Sequence, residues 1–571
     1  MDKIRVTLIS AIALVTFYGF IQFAEFKKEK DSQALVERHE SASQFNESSV
    51  PQVEQNTSND SDDVPSLVTK TAIQESPKSQ ATSLIQVKTD NFTLSIDKEG
   101  GDIVYLALNK QAAQLETPEI PFVLLQENNQ HFYIAQSGIF GKDGIDTKEG
   151  RARFSSASNE YTLGDQDTLN VDLNFQQGAV SIIKRFTFTK DDYLINVDYL
   201  IDNKSQQPWE ASFYAQIKRD SQRPVEETSG MGMSPYLGFA TRTKEDRFKK
   251  ISFSDLDEKK ESFDIQGGWV AMIQHYFLSA WVFDESKNTQ YSLFESKKDG
   301  LNIARGISSE TIVEPGQTGV IKASFYAGPK DQYRLEKISE GLDLSVDYSF
   351  LWMIAQPLYA LLYFINNGVL HLFGNSFDIF GGVGNWGFAI IILTLIVKLC
   401  FYSLNVKAYT SMAKMRAIQP KMLALKDRYG DDRQKLSQET MALYKKEGVN
   451  PIGGCLPMLV QMPIFIALYW VLMESVELRH APFIGWIHDL SAMDPYFILP
   501  LIMGASMWVQ QKMQPAPPDP MQAKIMQFLP VIFTFFFLFF PAGLVLYWVV
   551  NNLVTIAQQW YITRQLEKKS A

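Results

Sequence analysis

Residues 386–404 read WGFAIIILTLIVKLCFYSL. At ~1.5 Å per residue the run is long enough to cross a hydrocarbon core, yet it carries Lys398 inside it. A charge at the bilayer centre costs roughly 2.5–3.5 kcal/mol on insertion scales, so an ionisable residue within a span marks a functional site by default. The bland alternative is snorkelling, because Lys398 lies about two turns before Asn405 and its stem could reach the interface. The stretch that follows, 405–450, holds ten Lys and Arg residues from Lys407 to Lys446, whereas 474–495 offers only Arg479. The excess of basic charge places 405–450 in the cytoplasm and 474–495 outside.

Working outward, four more apolar runs read as spans: Cys455–Met473, Tyr496–Val509, Ile525–Phe540 and Leu544–Ile562. The second and third are short for a bilayer, which implies local thinning or burial behind neighbours. Pro457 and Pro463 should bend the first of them and open space between helices. At the other end, Lys3 and Arg5 precede an apolar run from Val6 to Phe23 with no small-residue cleavage pattern, so 1–26 is expected to be an uncleaved anchor. Phe350–Ile365 is apolar but short and interrupted by Gln356-Pro357. Laid on the membrane, it leaves the preceding domain outside and both termini inside; threaded through, it sets Lys3 and Arg5 against the charge rule. The interfacial helix is the favoured arrangement. The expected fold is therefore a multi-domain membrane protein with six transmembrane helices, an anchor plus five.

The net charge of −10 and mean hydropathy of −0.11 average over unlike halves. Residues 27–83 are rich in Ser, Gln, Glu, Asp and Asn, a composition that cannot bury enough apolar surface to fold, and read as a disordered linker. From Leu84 to about residue 340 the period becomes two: Phe92, Leu94, Ile96; Leu169, Val171, Leu173, Phe175; Ile195, Val197, Tyr199, Ile201. Short alternating strands with Gly and Asp turns predict a large antiparallel β-sandwich outside the membrane. Trp209, Phe213 and Trp269 could line a sugar site there, but core packing is the simpler role. The soluble half has no cysteine, since Cys400 and Cys455 both sit at span ends, and the six histidines show no metal-ligand spacing. No metal, cofactor or catalytic constellation is expected, and no basic face for nucleic acid.

Gly382-Val383-Gly384-Asn385-Trp386-Gly387 matches GxGxxG, but a membrane span follows and no acidic residue lies about 20 positions on. The dinucleotide reading fails, and the glycines read as a flexible entry to the span. No Walker A sequence is present. Residues 405–450 read as a cytoplasmic helical hairpin: Met415, Ile418, Met422 and Leu425 recur at helical spacing, Gly430 ends one helix, and Asp431 or Asp432 caps the next. Met412, Met415, Met422 and Met441 offer an adaptable apolar surface, and the surrounding charge suits anionic lipid heads or a ribosome. Thr394 lies one turn from Lys398. Gln461, Asn551 and Asn552, with Gln558 and Gln559, place further polar groups in other spans. One polar group per helix often bonds only a neighbouring helix, whereas several beside a lysine suggest a shared wet cavity.

The stretches NWGFAIIILTLIVK (385–398), AYTSMAKMRAIQPKM (408–422), NPIGGCLPMLVQMPIFIALYW (450–470) and FFPAGLVLYWVVNN (539–552) resemble the YidC/Oxa family of membrane protein insertases. The anchor and sandwich make the chain similar to the Gram-negative members. The resemblance implies an inner-membrane insertase and chaperone without covalent chemistry, acting on nascent membrane proteins alone or beside the Sec translocon. It implies five core spans enclosing a groove with a positive residue, which falls on Lys398. The family usually has arginine there, so a mechanism needing a planar bidentate clamp is in doubt here. The expected groove residues are Lys398, Thr394, Gln461, Trp548, Asn551 and Asn552. Expected domains are the anchor 1–26, linker 27–83, periplasmic sandwich 84–340, interfacial helix and connection 341–385, span 386–404, hairpin 405–450, spans 451–562 and a cytoplasmic tail 563–571. Two rivals from other classes are a small-solute transporter or channel, which an internal repeat would favour, and a membrane-anchored carbohydrate-binding protein.

Overall fold

The computed structural model describes residues 83–128, 131–148, 150–224, 235–372, 375–430, 432–448, 456–514 and 520–570. The expected anchor at 1–26 and almost all of the linker at 27–83 lie outside them. The chain divides into two compact units, with the boundary near Ser345 and Val346.

In the first unit the period of two becomes sheet. Ile195, Val197, Tyr199 and Ile201 of the strand Leu194–Asn203 are buried, while the residues between them are part-exposed. That strand pairs antiparallel with Val180–Thr189 on one side and Thr318–Pro329 on the other, at the middle of a nine-stranded sheet. An eleven-stranded sheet carries Trp209–Arg219 between Phe132–Phe140 and Asn302–Ser308. Pairing is antiparallel apart from Leu84–Lys88 against Glu160–Thr162, one parallel exception to the antiparallel expectation. Gly100 and Gly101 form a turn with φ of +79° and +66°, which a side chain would strain.

Trp209, Phe213 and Trp269 are all buried, and Trp269 Nε1 donates to Glu340 O at 3.0 Å. They are core, so the sugar-lining alternative loses its residues. A polar cluster also sits in the interior. Lys184, fully buried, donates to the carbonyls of Gly100, Gly101 and Ser137 at 2.9, 2.8 and 3.0 Å. Arg151 pairs with Asp102 at 2.9 Å and Asp146 at 3.3 Å. Buried charges persist where they are paired or fully hydrogen-bonded: Arg151 is paired with carboxylates, and Lys184 is held by three carbonyls.

The second unit is helical: α1 (Trp352–Asn367), α2 (Trp386–Cys400), α3 (Tyr402–Tyr429), α4 (Arg433–Glu447), α5 (Leu456–Glu474), α6 (Ile498–Lys512), α7 (Pro520–Phe537) and α8 (Ala542–Ser570). Apolar residues at helical spacing meet in one core, including Tyr359, Ile390, Leu393, Leu468, Val471, Met503, Phe537 and Val545. α2 departs from the expected 386–404 run. It ends at Cys400, and the chain turns by 68° at Phe401 into α3, so the hairpin begins at Tyr402 rather than 405. Phe401 closes the last turn through its N–H to Val397 O at 3.2 Å. Among the described residues, Ser349–Asn367 is the one unbroken helix long and apolar enough to cross a membrane, while α2 and α3 pass that test only as a bent pair.

In the hairpin α3 ends at Tyr429 before Gly430, and Asp432, one of the two expected caps, accepts from Lys435 N at 3.0 Å at the start of α4. Gly448, which the sequence reading did not single out, takes a left-handed φ of +61° at its end, and Tyr444 OH lies 3.6 Å from Met422 Sδ across the pair. The glycines before α2 are not a loose entry. Gly382, at φ +65°, lies so close to the Asn366 carbonyl that a Cβ would collide with it. Asp494 organises the loop before α6, receiving Trp486 Nε1, Tyr496 N and Leu499 N at 3.0, 3.0 and 2.7 Å.

Candidate functional site: a polar stripe around Lys398

α2 starts under a side-chain cap, Asn385 accepting from Phe388 N at 3.2 Å, and Gly387 lets the ring of Phe483 press against its first turn. Further along the helix Thr394 and Lys398 are both buried. The Thr394 hydroxyl donates to Ile390 O of its own helix at 2.7 Å, so its proton is not available to a partner across the groove. Lys398 reaches across instead, its Nζ donating to Thr555 Oγ1 of α8 at 2.8 Å and to Gln461 Oε1 of α5 at 3.2 Å. Thr555 in turn donates its proton to Asn551 O at 2.7 Å, which turns the hydroxyl lone pairs toward the ammonium. Gln461 Nε2 donates to Asn551 Oδ1.

The ammonium is thus held by neutral acceptors. Among the described residues no carboxylate pairs with it, and its charge is left uncompensated in a buried place. A small cleft of about 10 Å³, room for roughly one water, borders it between Val397, Phe401, Leu404, Asn405, Val460 and Gln461. An uncompensated cation beside a small cleft can attract an acidic or carbonyl-rich segment that approaches.

The stripe continues on α8 at helical spacing. Asn552 donates to Ser506 Oγ of α6 at 3.0 Å, Gln558 accepts from Asn405 at 3.4 Å, and Gln559 donates to Met513 O at 3.1 Å. One turn before Asn551 the character changes. The ring of Trp548 meets Phe465, Phe537 and Phe533 at centroid distances of 4.5, 5.2 and 6.3 Å. Of the predicted set, the structure therefore brings Lys398, Gln461 and Asn551 into one network, places Asn552 on an adjoining bond to α6, turns the Thr394 hydroxyl to its own backbone, and sets Trp548 in an aromatic layer capping the polar stripe.

Thr555, Ser506 and Asn405 were missed by sequence reasoning. Thr555 was within reach, since it lies one turn past Asn551, whereas nothing local marks Ser506 or Asn405. In the hairpin, Met441 is well exposed, at 61%, while Met412, Met415 and Met422 are half-buried. Met441 is the one fully presented to a partner.

Two family models match the chain, that of a 60Kd inner membrane protein over residues 378–569 and that of the YidC periplasmic domain over 84–361. The chain is 52% identical to the membrane protein insertase YidC of Cellvibrio japonicus, over 100% of this chain and 99% of that one. It is 47% identical to the protein of the same description from Azotobacter vinelandii, again over 100% and 99%. A crystal structure of an active YidC insertase with its first transmembrane domain resolved aligns over 85% of this chain and 93% of that one, with a TM-score of 0.37 at 19% identity.

Proposed function

The chain belongs to the YidC family of membrane protein insertases, and on that premise we propose that it moves hydrophobic segments of nascent proteins into the inner membrane past Lys398. It is an insertase and chaperone, not an enzyme, and works by binding. The observation that carries this reading is the buried Lys398 ammonium, held among the described residues by the neutral side chains of Thr555 and Gln461 beside a small cleft. A polar flank of the substrate displaces those weak neutral contacts, while its apolar segment follows the exposed lipid-facing surfaces of α2 and α7. The aromatic layer at Trp548 closes the far end of the stripe.

In the proposed topology 1–26 is an anchor, both termini are cytoplasmic, and the sandwich is periplasmic. Ser349–Asn367 is long enough to span, but with 405–450 cytoplasmic a spanning helix would put Lys3 and Arg5 outside, against the charge rule, which supports an interfacial position and six spans in all. Met441 and its neighbours on the hairpin meet the nascent chain, with the Sec translocon, ribosome and anionic lipids as further partners. A transporter is less favoured, since the five core spans show no internal repeat.

Purified protein in liposomes, given a short single-span substrate without translocon, should insert it. Protein-containing liposomes that insert no more than empty ones would refute unaided insertion.

A further inference from the structure

Between α1 and α2 the chain makes a small hairpin, Val369–Leu372 against Asn375–Asp378. An isolated two-stranded hairpin is at best marginal in water, so something must hold it. Its inner face is held by the protein. The His371 ring stacks on Tyr333 with centroids 3.7 Å apart and lies 5.2 Å from Tyr363. Behind it, Ile379 N donates to Gly368 O, Val383 N to Ile365 O and Gly384 N to Asn366 O, at 2.9, 3.0 and 2.9 Å. These bonds tie the hairpin and its exit firmly to the end of α1.

Among the described residues the outer face has little such support, the edge of Phe380 against Phe364 at 5.2 Å being its ring contact with α1. Leu370 and Phe377 are direct cross-strand neighbours, hence on one face. They are 37% and 49% exposed, and the next residues, Ile379 and Phe380, are 58% and 47% exposed. Soluble surfaces scatter apolar residues singly; four on an eleven-residue segment form a patch. Exposed apolar side chains also flank the patch along the chain. Phe350, Trp352 and Met353 are exposed at the start of α1, and Phe388, Leu395 and Leu399 along α2. Phe380, the last residue of the patch, lies six residues before α2 begins, a reach of at most ~22 Å, and Val383 and Gly384 between them are bonded back to the end of α1. A patch tethered to the end of a membrane-crossing helix stands near the level of the headgroups.

We propose that the outer face of this hairpin, Leu370 and Phe377 with Ile379 and Phe380, inserts into the lipid interface and anchors the junction between α1 and α2. The anchor rests on the reading that α2 lies in the membrane. Apolar side chains at the headgroup boundary gain from burial there, and the rigid backbone bonds to α1 transmit that fixed depth to the first turn of α2.

The test uses the full chain with Cys400→Ser and Cys455→Ser, reconstituted in phosphatidylethanolamine–phosphatidylglycerol vesicles. Single cysteines at Phe377, Leu370, Ser376 and Leu395 carry an environment-sensitive fluorophore, quenched either by lipids with a nitroxide near the headgroup or by aqueous iodide. Labels at 377 and 370 should be quenched at least threefold more by the nitroxide lipid than by iodide, and the label at 376, on the other face, in the reverse order. Iodide quenching at 377 equal to that at 376 overturns the proposal. Shielding of 377 from both quenchers also overturns it, since residues 1–26 or another copy would then cover the face. Leu395 separates the two readings: a label there unreached by nitroxide lipid at any depth would sink the placement of α2 itself.

Discussion

Reversing the charge at residue 398 is the sharpest perturbation. A carboxylate drawn to within about 4 Å of the Lys398 ammonium gains ~1 kcal/mol in water and ~4 kcal/mol at the effective dielectric of a protein surface. Lys398 is 5% exposed but borders a small cleft, so its field acts between those limits. At 1.4 kcal/mol per tenfold, Lys398→Met should lower insertion of an acidic-tailed single-span substrate by about tenfold or more, and Lys398→Glu further, since attraction becomes repulsion. The fold should survive. Removing the ammonium strands two acceptors, on Thr555 and Gln461, at ~1–3 kcal/mol each, but also removes an unpaired buried charge. The melting temperature should therefore move by only a few degrees. Lys398→Arg should stay within a few-fold of wild type, because the acceptors lie on two different helices and no bidentate carboxylate is involved. The assay is liposome insertion read by protease protection, with the acidic tail and a neutral-tail version compared side by side. Wild-type insertion by Lys398→Glu would refute the reasoning. Equal loss for both tails would as well, since the lysine would then be acting on the fold rather than on charge.

Three further outcomes follow from the geometry elsewhere. Burial pushes the Glu477 carboxyl up to about 7, against the hydrogen bond donated by Tyr359 at 2.7 Å. The native state then holds a proton that the unfolded state has lost between pH ~4.5 and ~7, so stability falls as pH rises through that window; Glu477→Gln should flatten the fall, worth on the order of 3 kcal/mol by pH 8, in melts at pH 5 and 8. Lys184→Met strands the Gly101 carbonyl and leaves those of Gly100 and Ser137 to Arg151 Nη2 alone, and should destabilise the sandwich by ~1–3 kcal/mol, read as faster proteolysis within 84–345 while helical signal persists. Asp432→Ala removes the α4 cap and should loosen the hairpin by ~1 kcal/mol, seen as faster amide exchange over 433–440 with insertion of a short substrate little changed.

What the sequence determined by itself was everything carried by local period, charge and cap chemistry. Alternation placed the strand Leu194–Asn203 and its neighbours, because side chains on a pleat face opposite ways every residue. Gly430 and Asp432 marked the break between α3 and α4, because a cap is a bond between near neighbours in the chain. The basic run from Lys407 to Lys446 set the expected topology, and the stretches at 385–398 and 539–552 carried the family. Lys398 could be singled out, but its surroundings could not. Its partners Gln461 and Thr555 lie 63 and 157 residues away, and only the packing of α5 and α8 against α2 brings them to its ammonium. The same holds for the turn at Phe401, where an apolar run legible as one span becomes two helices at 68°, and for Gly382, held against α1 rather than loose. Thr394 shows the limit in the other direction: helical spacing put it beside Lys398, while its proton went to its own backbone. Period and composition say which face a residue occupies; which atom it bonds depends on where distant helices come to rest.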